Sequence, residues 1–482
     1  MKSFNNNKMK QLRFLGLALM VCFFPSCESD FLEPVPESAI SSKGYFANDD
    51  EIETGVIGIY DAMQGINSTS LSDNRGVQQE FYLTEMRSDN TRTKSQEGEA
   101  AQFESYDITP NNGIVENYYR SSYSTIYRAN LVLENLDNAT ETAAGTFEGE
   151  AKFARAYSYF NLVRLFGEVP LVDKVIGPLD KEIAYTRASA SAIYDLIISD
   201  LETAIANLDN GPKTRASKAA AQGLLAKVHL TLGNYPTAQV LTESIINSGL
   251  FSLEPNFNDV FYNENNDEVI FAIAFNPGLA SDSQDFSAEF MNGVGRTAGV
   301  NYVTDEAVAI LEEKGGDRTQ FSYRIDPSQM TQNQVIKYLP NGEDGGADGK
   351  TFTSDATLSG NDWIVLRYAD VLLMHVEAIL AGGQETSVPA ALNSFQLVRD
   401  RAGLTDPVTT ITKQDLLDER RVELAFENQR LFDLIRLGVA QEVLSAFSTA
   451  NNYSFSATDI LLPIPQREIN LSNGLLQQNP GY

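Results

Sequence analysis

The 482-residue sequence predicts a mainly α-helical protein. About four stacked helix pairs form the scaffold, and an irregular, loop-rich layer with a few short strands rests on it. Three observations carry this expectation. Apolar residues recur at three- and four-residue spacing over long stretches before residue 250 and again after 360. Segment 217–249 places small residues and a turn where a helical hairpin needs them. Between about 250 and 360 the helical period gives way to alternation and to polar, glycine-rich runs.

The first element is not part of the fold. Lys2, Lys8, Lys10 and Arg13 precede an apolar run from Phe14 to Phe24. Eleven helical residues reach roughly 16 Å, about half a bilayer core, which suits an export signal and not a membrane span. The small residue Ser26 is followed by Cys27, an arrangement that resembles a bacterial lipoprotein signal in which the cysteine is acylated and becomes residue one. A plain secretory cut near Ser26 is the alternative. Lipidation at Cys27 removes Cys22 with the signal, so no disulfide can form and the fold rests on packing. A diacylglyceryl cysteine supplies more than one acyl chain, as stable anchoring requires. Removing the four bases of the signal leaves 32 bases against 65 acids, a net charge of −33. That balance argues against nucleic acid as a partner. With two histidines, His229 and His375, both in apolar helical patterns, a His-rich metal site is excluded by count.

Residues 28–47 read as an irregular tether with Pro34 and Pro36. A helix follows through "DDEIETGVIGIYDAM", with Asp49 or Asp50 as its cap and Ile52, Val56, Ile59 and Tyr60 on one face. Residues 64–115 read mostly as loop, and long ordered loops tend to carry function. Helices are expected at about 116–136, through "EGEAKFARAYSYFNLVRLF" up to Gly167 and Pro170, and through "SASAIYDLIISDLETAIANL". In 217–249, Ala226, Gly233, Tyr235 and Ala238 sit roughly where a tetratricopeptide unit needs them. Val269, Phe271, Ile273 and Phe275 alternate as in a strand, and Thr304 is placed to cap a short helix. The run 341–362 gathers Glu343, Asp344 and Asp348, but their spacing is not that of a calcium loop. "DWIVLRYADVLLMHVEAI" reads as a strand turning into a helix, with "SVPAALNSFQLVRDRAG" as the partner helix. "TKQDLLDERRVELAFENQRLFDLIRLG" reads as one long helix, with Glu427–Arg430 and Asp433–Arg436 pairs on its exposed face. Pro463 and Pro465 predict an extended terminal strap pinned against the body.

Four of these segments, "ARAYSYFNLVRLFGEVPL", "LRYADVLLMHVEAI", "ERRVELAFENQRLFDLIRLG" and "LLPIPQREINLSNGLLQQNPGY", together resemble the SusD/RagB family of nutrient-binding outer-membrane lipoproteins. Cys27 with Glu28 and Asp30 behind it is similar to the family's start, and to a surface-export signal of Bacteroides-group lipoproteins. The resemblance implies a SusD-like fold: four tetratricopeptide-like pairs in a right-handed superhelical scaffold, with an irregular second layer. The implied organisation is a signal at 1–26, a lipid-anchored tether at 27–48, an N-terminal part with the helix pairs at 49–250, and a C-terminal part at 251–482 that completes one integrated fold. It implies a non-catalytic protein, without cofactor, at the cell outer membrane and facing outward. There it captures a glycan or oligosaccharide for a SusC-like TonB-dependent barrel transporter. Peptide capture by the same lid mechanism, or a protein-only tetratricopeptide-type adaptor, are the other readings. No nucleophile elbow or HExxH motif points to an enzyme.

The family's recognisable segments are expected to be scaffold: Arg155, Arg164, Arg367, Asp370 and the charges from Glu419 to Arg436. Ligand contacts are expected in variable loops, where a sugar needs a flat aromatic face ringed by amides, guanidinium groups or carboxylates. The segment 75–92 offers Arg75, Tyr82, Arg87, Asp89, Asn90 and Arg92. The second layer adds Phe275, Asn276 and Tyr302. Trp363, the single tryptophan, is a candidate for stacking or for a strand packed under the helices. No metal ligand set is assigned.

Overall fold

The computed structural model describes residues 45–65, 75–93, 98–291 except 178, 265, 278 and 280, 302–340 except 328, and 358–482. Cys27, the signal and most of the tether lie outside the described residues, as does the run 341–357. A leading unit, 1–47, is described at 45–47 alone, where the Tyr45 and Phe46 rings meet edge to face at 5.1 Å. Residues 48–482 are a separate compact unit. Among the described residues no helix is long and apolar enough to cross a membrane.

The helix pairs form where the apolar period places them. Asp49–Gln64 packs on Gly113–Leu133, and Glu141–Phe166 packs on Ala190–Asn207. Lys218–Thr231 and Tyr235–Ser248 make the expected hairpin, which stacks on Tyr368–Leu380, and that helix packs in turn on its partner Pro389–Arg401. Asn48, and not Asp49 or Asp50, caps the first helix by accepting from the Glu51 N–H. Asp49 instead accepts from the Thr140 N–H and hydroxyl at 2.7 and 2.6 Å, tying two helix starts together. The 26-residue helix Glu141–Phe166 is buried on nearly every face beyond Gly149, so it is the axle of the scaffold. It ends at Gly167, whose φ of +71° a side chain would resist. Gly223 is a close-approach position: a Cβ there would lie 2.3 Å from Leu366 Cδ2.

Strand Val269–Ile273 pairs antiparallel with Trp363–Arg367. All five of its residues are buried, because helices cover one side and the second layer covers the other. The strand expected from the alternation of Val269, Phe271 and Ile273 is thus present. A second, four-stranded sheet runs in the order Thr91–Arg92, Tyr302–Val303, Gln329–Val335, Tyr323–Asp326. Thr304 caps Asp305–Lys314 as its position suggested, accepting from the Ala307 N–H.

Two expectations are corrected. The described residues of 64–115 are not mostly loop: Gly76–Thr84, a 3₁₀ turn Glu85–Arg87 and Gly98–Ser105 are helical. Phe81, Leu83, Met86 and Phe103 are wholly buried and outweigh the local abundance of polar residues. The long helix expected after Thr412 is broken into Lys413–Glu423 and Arg430–Arg436. The Glu423 carbonyl, which a continuous helix would bond to the Glu427 N–H, is taken by Arg367 at 2.7 Å and Lys337 at 3.3 Å. The Phe426 N–H goes to the Glu85 carboxylate at 3.0 Å, and Phe426 and Asn428 adopt φ of +68° and +60°. Glu427 consequently bonds Arg367 and Lys337, and not Arg430. The Asp433–Arg436 pair does form, at 2.7 Å, but inside the body.

Buried charge binds the two layers. Arg367 engages Glu268, Glu423 and Glu427, and Arg318 and Arg401 share Glu423 with it. Asp370 pairs with Arg420 and Lys227, and not with Arg367 one turn before it. Arg155 grips Asp200 through two bonds of 2.8 Å, joining two neighbouring helices. His229 and His375 are buried, as their apolar surroundings predicted. The terminal strap is fastened by the Leu462 N–H to the Leu165 carbonyl and by Asn479, whose amide donates to Phe166 and Leu462 carbonyls. One short helix, Gln466–Leu471, interrupts its extended course.

Candidate functional site

The four-stranded sheet aligns residues from distant parts of the chain. Its registers pair Arg92 with Tyr302, Tyr302 with Gln334, and Gln334 with Arg324. Directly paired residues share a sheet face, so Arg92, Tyr302, Gln334 and Arg324 form one cross-strand row. Arg92, Tyr302 and Arg324 are half-buried, and Gln334 is buried. The Arg92 guanidinium lies over the Tyr302 ring, 4.8 Å from its centre. Arg324 donates from Nε to Gln334 Oε1 at 2.8 Å, and the Gln334 amide donates to the Phe290 carbonyl at 2.7 Å. Tyr453, from the segment after the Ala440–Asn451 helix, lies beside Arg92 at the other end of the row. Burial pushes the Tyr453 phenol up and Glu104 adds to this, while the Arg92 guanidinium favours its ionised form. Burial also drives Glu104 up to about 7, against the bonds from Thr93. The result is a ledge: a tyrosine ring between two guanidinium groups, with an amide in line and a second tyrosine at the end.

The segment that delivers Arg92 is fixed by its own polar residues. Asp89 accepts two bonds from Arg430, at 2.8 and 3.0 Å, and pairs with Arg421 at 3.0 Å. Burial opposes its ionisation, yet the two guanidinium groups hold its carboxyl well below the usual carboxylate range. Asn90 donates to Glu85 Oε1 at 2.8 Å and accepts from Arg421 at 2.9 Å. Glu85 is fully buried, and that burial pushes it up to about 7. Arg87 donates to the carbonyls of Leu83, Asp459 and Ile460. Thr304 bonds the Asp89 and Asn90 carbonyls, so the Thr91–Arg92 and Tyr302–Val303 strands share one clasp.

The structure thus brings together Arg92 and Tyr302 of the residues singled out from sequence. Arg87, Asp89 and Asn90 point inward to protein partners. Tyr82 is buried beside Phe103, with its hydroxyl near Gln78 and Glu289. Trp363 is 3% exposed, packed 5.1 Å from Tyr338 and 5.4 Å from Phe286, so it lies under the helical layer. Phe275 is buried, and its N–H bonds Asp362. Asn276 is exposed and bonds Asp282. Arg75 is partly exposed and pairs with Asp285 at 3.1 Å. Gln334, Arg324 and Tyr453 were missed. The first two belong to a hairpin, 323–335, whose Asp326–Pro327 turn signal is legible in "YRIDPSQMTQNQV"; Tyr453 carries no local signal. Among the described residues no group of carboxylates, cysteines or histidines has the arrangement of a metal site.

Comparison with known proteins is consistent along the chain. The model of the SusD family matches residues 346–482, and a second model, described as starch-binding associating with outer membrane, matches 30–230. SusD-like protein P2 of Formosa agariphila is 26% identical over 498 aligned residues, spanning 94% of this chain and 96% of that one. A solved structure titled laminarin binding SusD-like protein superposes with a TM-score of 0.73 at 26% identity, covering 90% of this chain and 100% of the other. The surface glycan-binding protein A of Bacteroides thetaiotaomicron, solved with laminarihexaose, shares the fold with a TM-score of 0.73 at 23% identity, over 90% and 99% of the two chains.

Proposed function

Because the chain belongs to the SusD/RagB family, we propose that it is a non-catalytic nutrient-binding protein of the outer membrane that captures a glycan or oligosaccharide on the Arg92–Tyr302–Gln334–Arg324 ledge. The observation that carries this reading is the cross-strand row itself. A pyranose has an apolar C–H face that packs on an aromatic ring, and hydroxyls around its edge that pair with guanidinium and amide groups. The row brings an aromatic ring and guanidinium groups to one sheet face. Pre-organisation by the buried clasp at Asp89 and Asn90 lowers the ordering cost of binding. A glucan ligand is favoured by the likeness to the laminarin-binding structure.

Binding of this kind breaks no bond. Affinities in the micromolar to millimolar range, on the order of −8 to −4 kcal/mol, suit release to the next carrier. That carrier is a SusC-like TonB-dependent barrel, with this protein held beside it by lipid at Cys27 on the outward-facing surface. Titration calorimetry with laminarihexaose tests the ledge. Tyr302→Ala and Arg92→Ala are expected to weaken binding tenfold or more while near-ultraviolet circular dichroism is unchanged. Undiminished binding in both variants would remove the ledge from the reading. The anchor is tested separately: Cys27→Ser is expected to move the protein from the membrane to the soluble fraction, and retention in the membrane fraction rejects lipidation at that residue.

A further inference from the structure

A cavity lies on the scaffold and involves none of the ledge residues. It is a cleft of about 350 Å³ between the Gly113–Leu133 helix and the short Lys181–Tyr185 helix, closed at one end by the terminal strap. Tyr119, Tyr123, Tyr127 and Tyr185 line it, with Arg120 and Glu468. The tyrosines are not equivalent. Tyr119 is buried, its ring 4.9 Å from that of Tyr123 and edge-on to Phe166 at 5.2 Å. Tyr123 spends its hydroxyl on the Pro170 carbonyl at 2.7 Å. These two form a fixed floor. Tyr127 is 49% exposed and Tyr185 half-buried, so they are rim residues with ring surface to offer.

We infer that this cleft is a second carbohydrate-binding site, one that takes one or two neutral sugar units of a glycan. The volume is at the small end of ligand pockets, which suits a chain end or a short stretch and not a long oligosaccharide. Aromatic floor and rim match the apolar faces of sugar rings. The polar groups carry opposite charges: Arg120 stands 3.8 Å from Glu116, too far for a hydrogen bond, and Glu468 is 3.3 Å from Arg467. A guanidinium and a carboxylate at one opening cancel in charge, so they select an uncharged polyol over an acid or an amine. Burial raises the Glu468 carboxyl, as expected where water is partly excluded. The inference stands on the cleft alone; it extends the proposed function by giving the protein a second place to hold sugar.

The test uses the mature protein and neutral hexasaccharides of β-1,3-glucan, β-1,4-glucan, α-1,4-glucan, β-1,4-xylan and β-1,4-mannan, by titration calorimetry. With the ledge disabled by Tyr302→Ala, binding of at least one sugar is expected to survive. Adding Tyr185→Ala or Tyr127→Ala should weaken that surviving event tenfold or more, and adding Glu468→Gln should weaken it severalfold. Tyr127→Ala alters an exposed side chain and guards against a folding defect. Silence of every sugar on Tyr302→Ala overturns the inference, as does surviving binding that ignores all three cleft substitutions. Saturation of the cleft by a peptide, with all sugars silent there, also overturns it. If Tyr302→Ala has no effect and Tyr185→Ala abolishes binding, the cleft stands and the ledge falls.

Discussion

Replacing Glu85 by glutamine should change how stability depends on pH. Glu85 is wholly buried, and its pKa is raised from 4.5 to about 7, burial outweighing the bonds from the Asn90 amide and the Phe426 N–H. A group with a raised folded-state pKa lends stability that is fully present below its unfolded value and is lost as pH climbs through the folded one. Here the window runs from about 4.5 to about 7. At about 1.4 kcal/mol per pH unit, the contribution lost across it is about 3 kcal/mol. Glu85→Gln keeps an acceptor for Asn90 and Phe426 but cannot ionise. Relative to wild type, its stability should therefore rise by about 3 kcal/mol from pH 4.5 to 7.5. Glu104 and Asp362, each also raised to about 7 by burial, slope the same way in both proteins and cancel in the difference. Urea unfolding followed by the fluorescence of Trp363, the single tryptophan and a buried one, reads the effect directly. A stability difference that stays flat over this range would refute the assignment of Glu85 as a neutral carboxyl that fastens the ledge strand to the broken helix.

Three other expectations follow from the same contacts. Glu423→Gln leaves Arg318, Arg367 and Arg401 facing a neutral group inside the body, and should cost about 3–5 kcal/mol, seen as a lower urea midpoint. Tyr453→Phe removes the hydroxyl that faces the Arg92 guanidinium, so glycan affinity should fall severalfold, about 1 kcal/mol, with thermal stability nearly unchanged; equal affinity would show that the hydroxyl does not orient Arg92. Asn479→Ala leaves the Phe166 and Leu462 carbonyls without their donor and should cost about 1–3 kcal/mol, with the strap the first segment to gain hydrogen exchange.

The scaffold was legible because amphipathic period is a local signal. The long helices, the hairpin at 217–249 and the Thr304 cap each announce themselves within one or two turns of chain. What was not legible depends on partners far away. The break at 424–429 arises because Arg367 and Lys337 claim a helical carbonyl, and neither lies near it in sequence. Arg87, Asp89 and Asn90 have the chemistry of ligand contacts, and only the fold reveals that Asp89 meets Arg430, 341 positions later. In the sequence Arg92 and Tyr302 stand out singly, by residue type alone. Their assembly into a row with Gln334 and Arg324 is a matter of strand register, and that is set by tertiary pairing.

The row has a consequence for how such a protein changes over time. The ladder that aligns its four members is made of main-chain groups, which do not read the side chains they carry. Arg92, Tyr302 and Arg324, the half-buried members, can each be exchanged for another residue tolerated in a strand while the pairing persists, whereas Gln334 is buried and bonds the Phe290 carbonyl. New diets can therefore be tried by point mutation at three places, each a short step away in sequence space, with the supporting body left untouched.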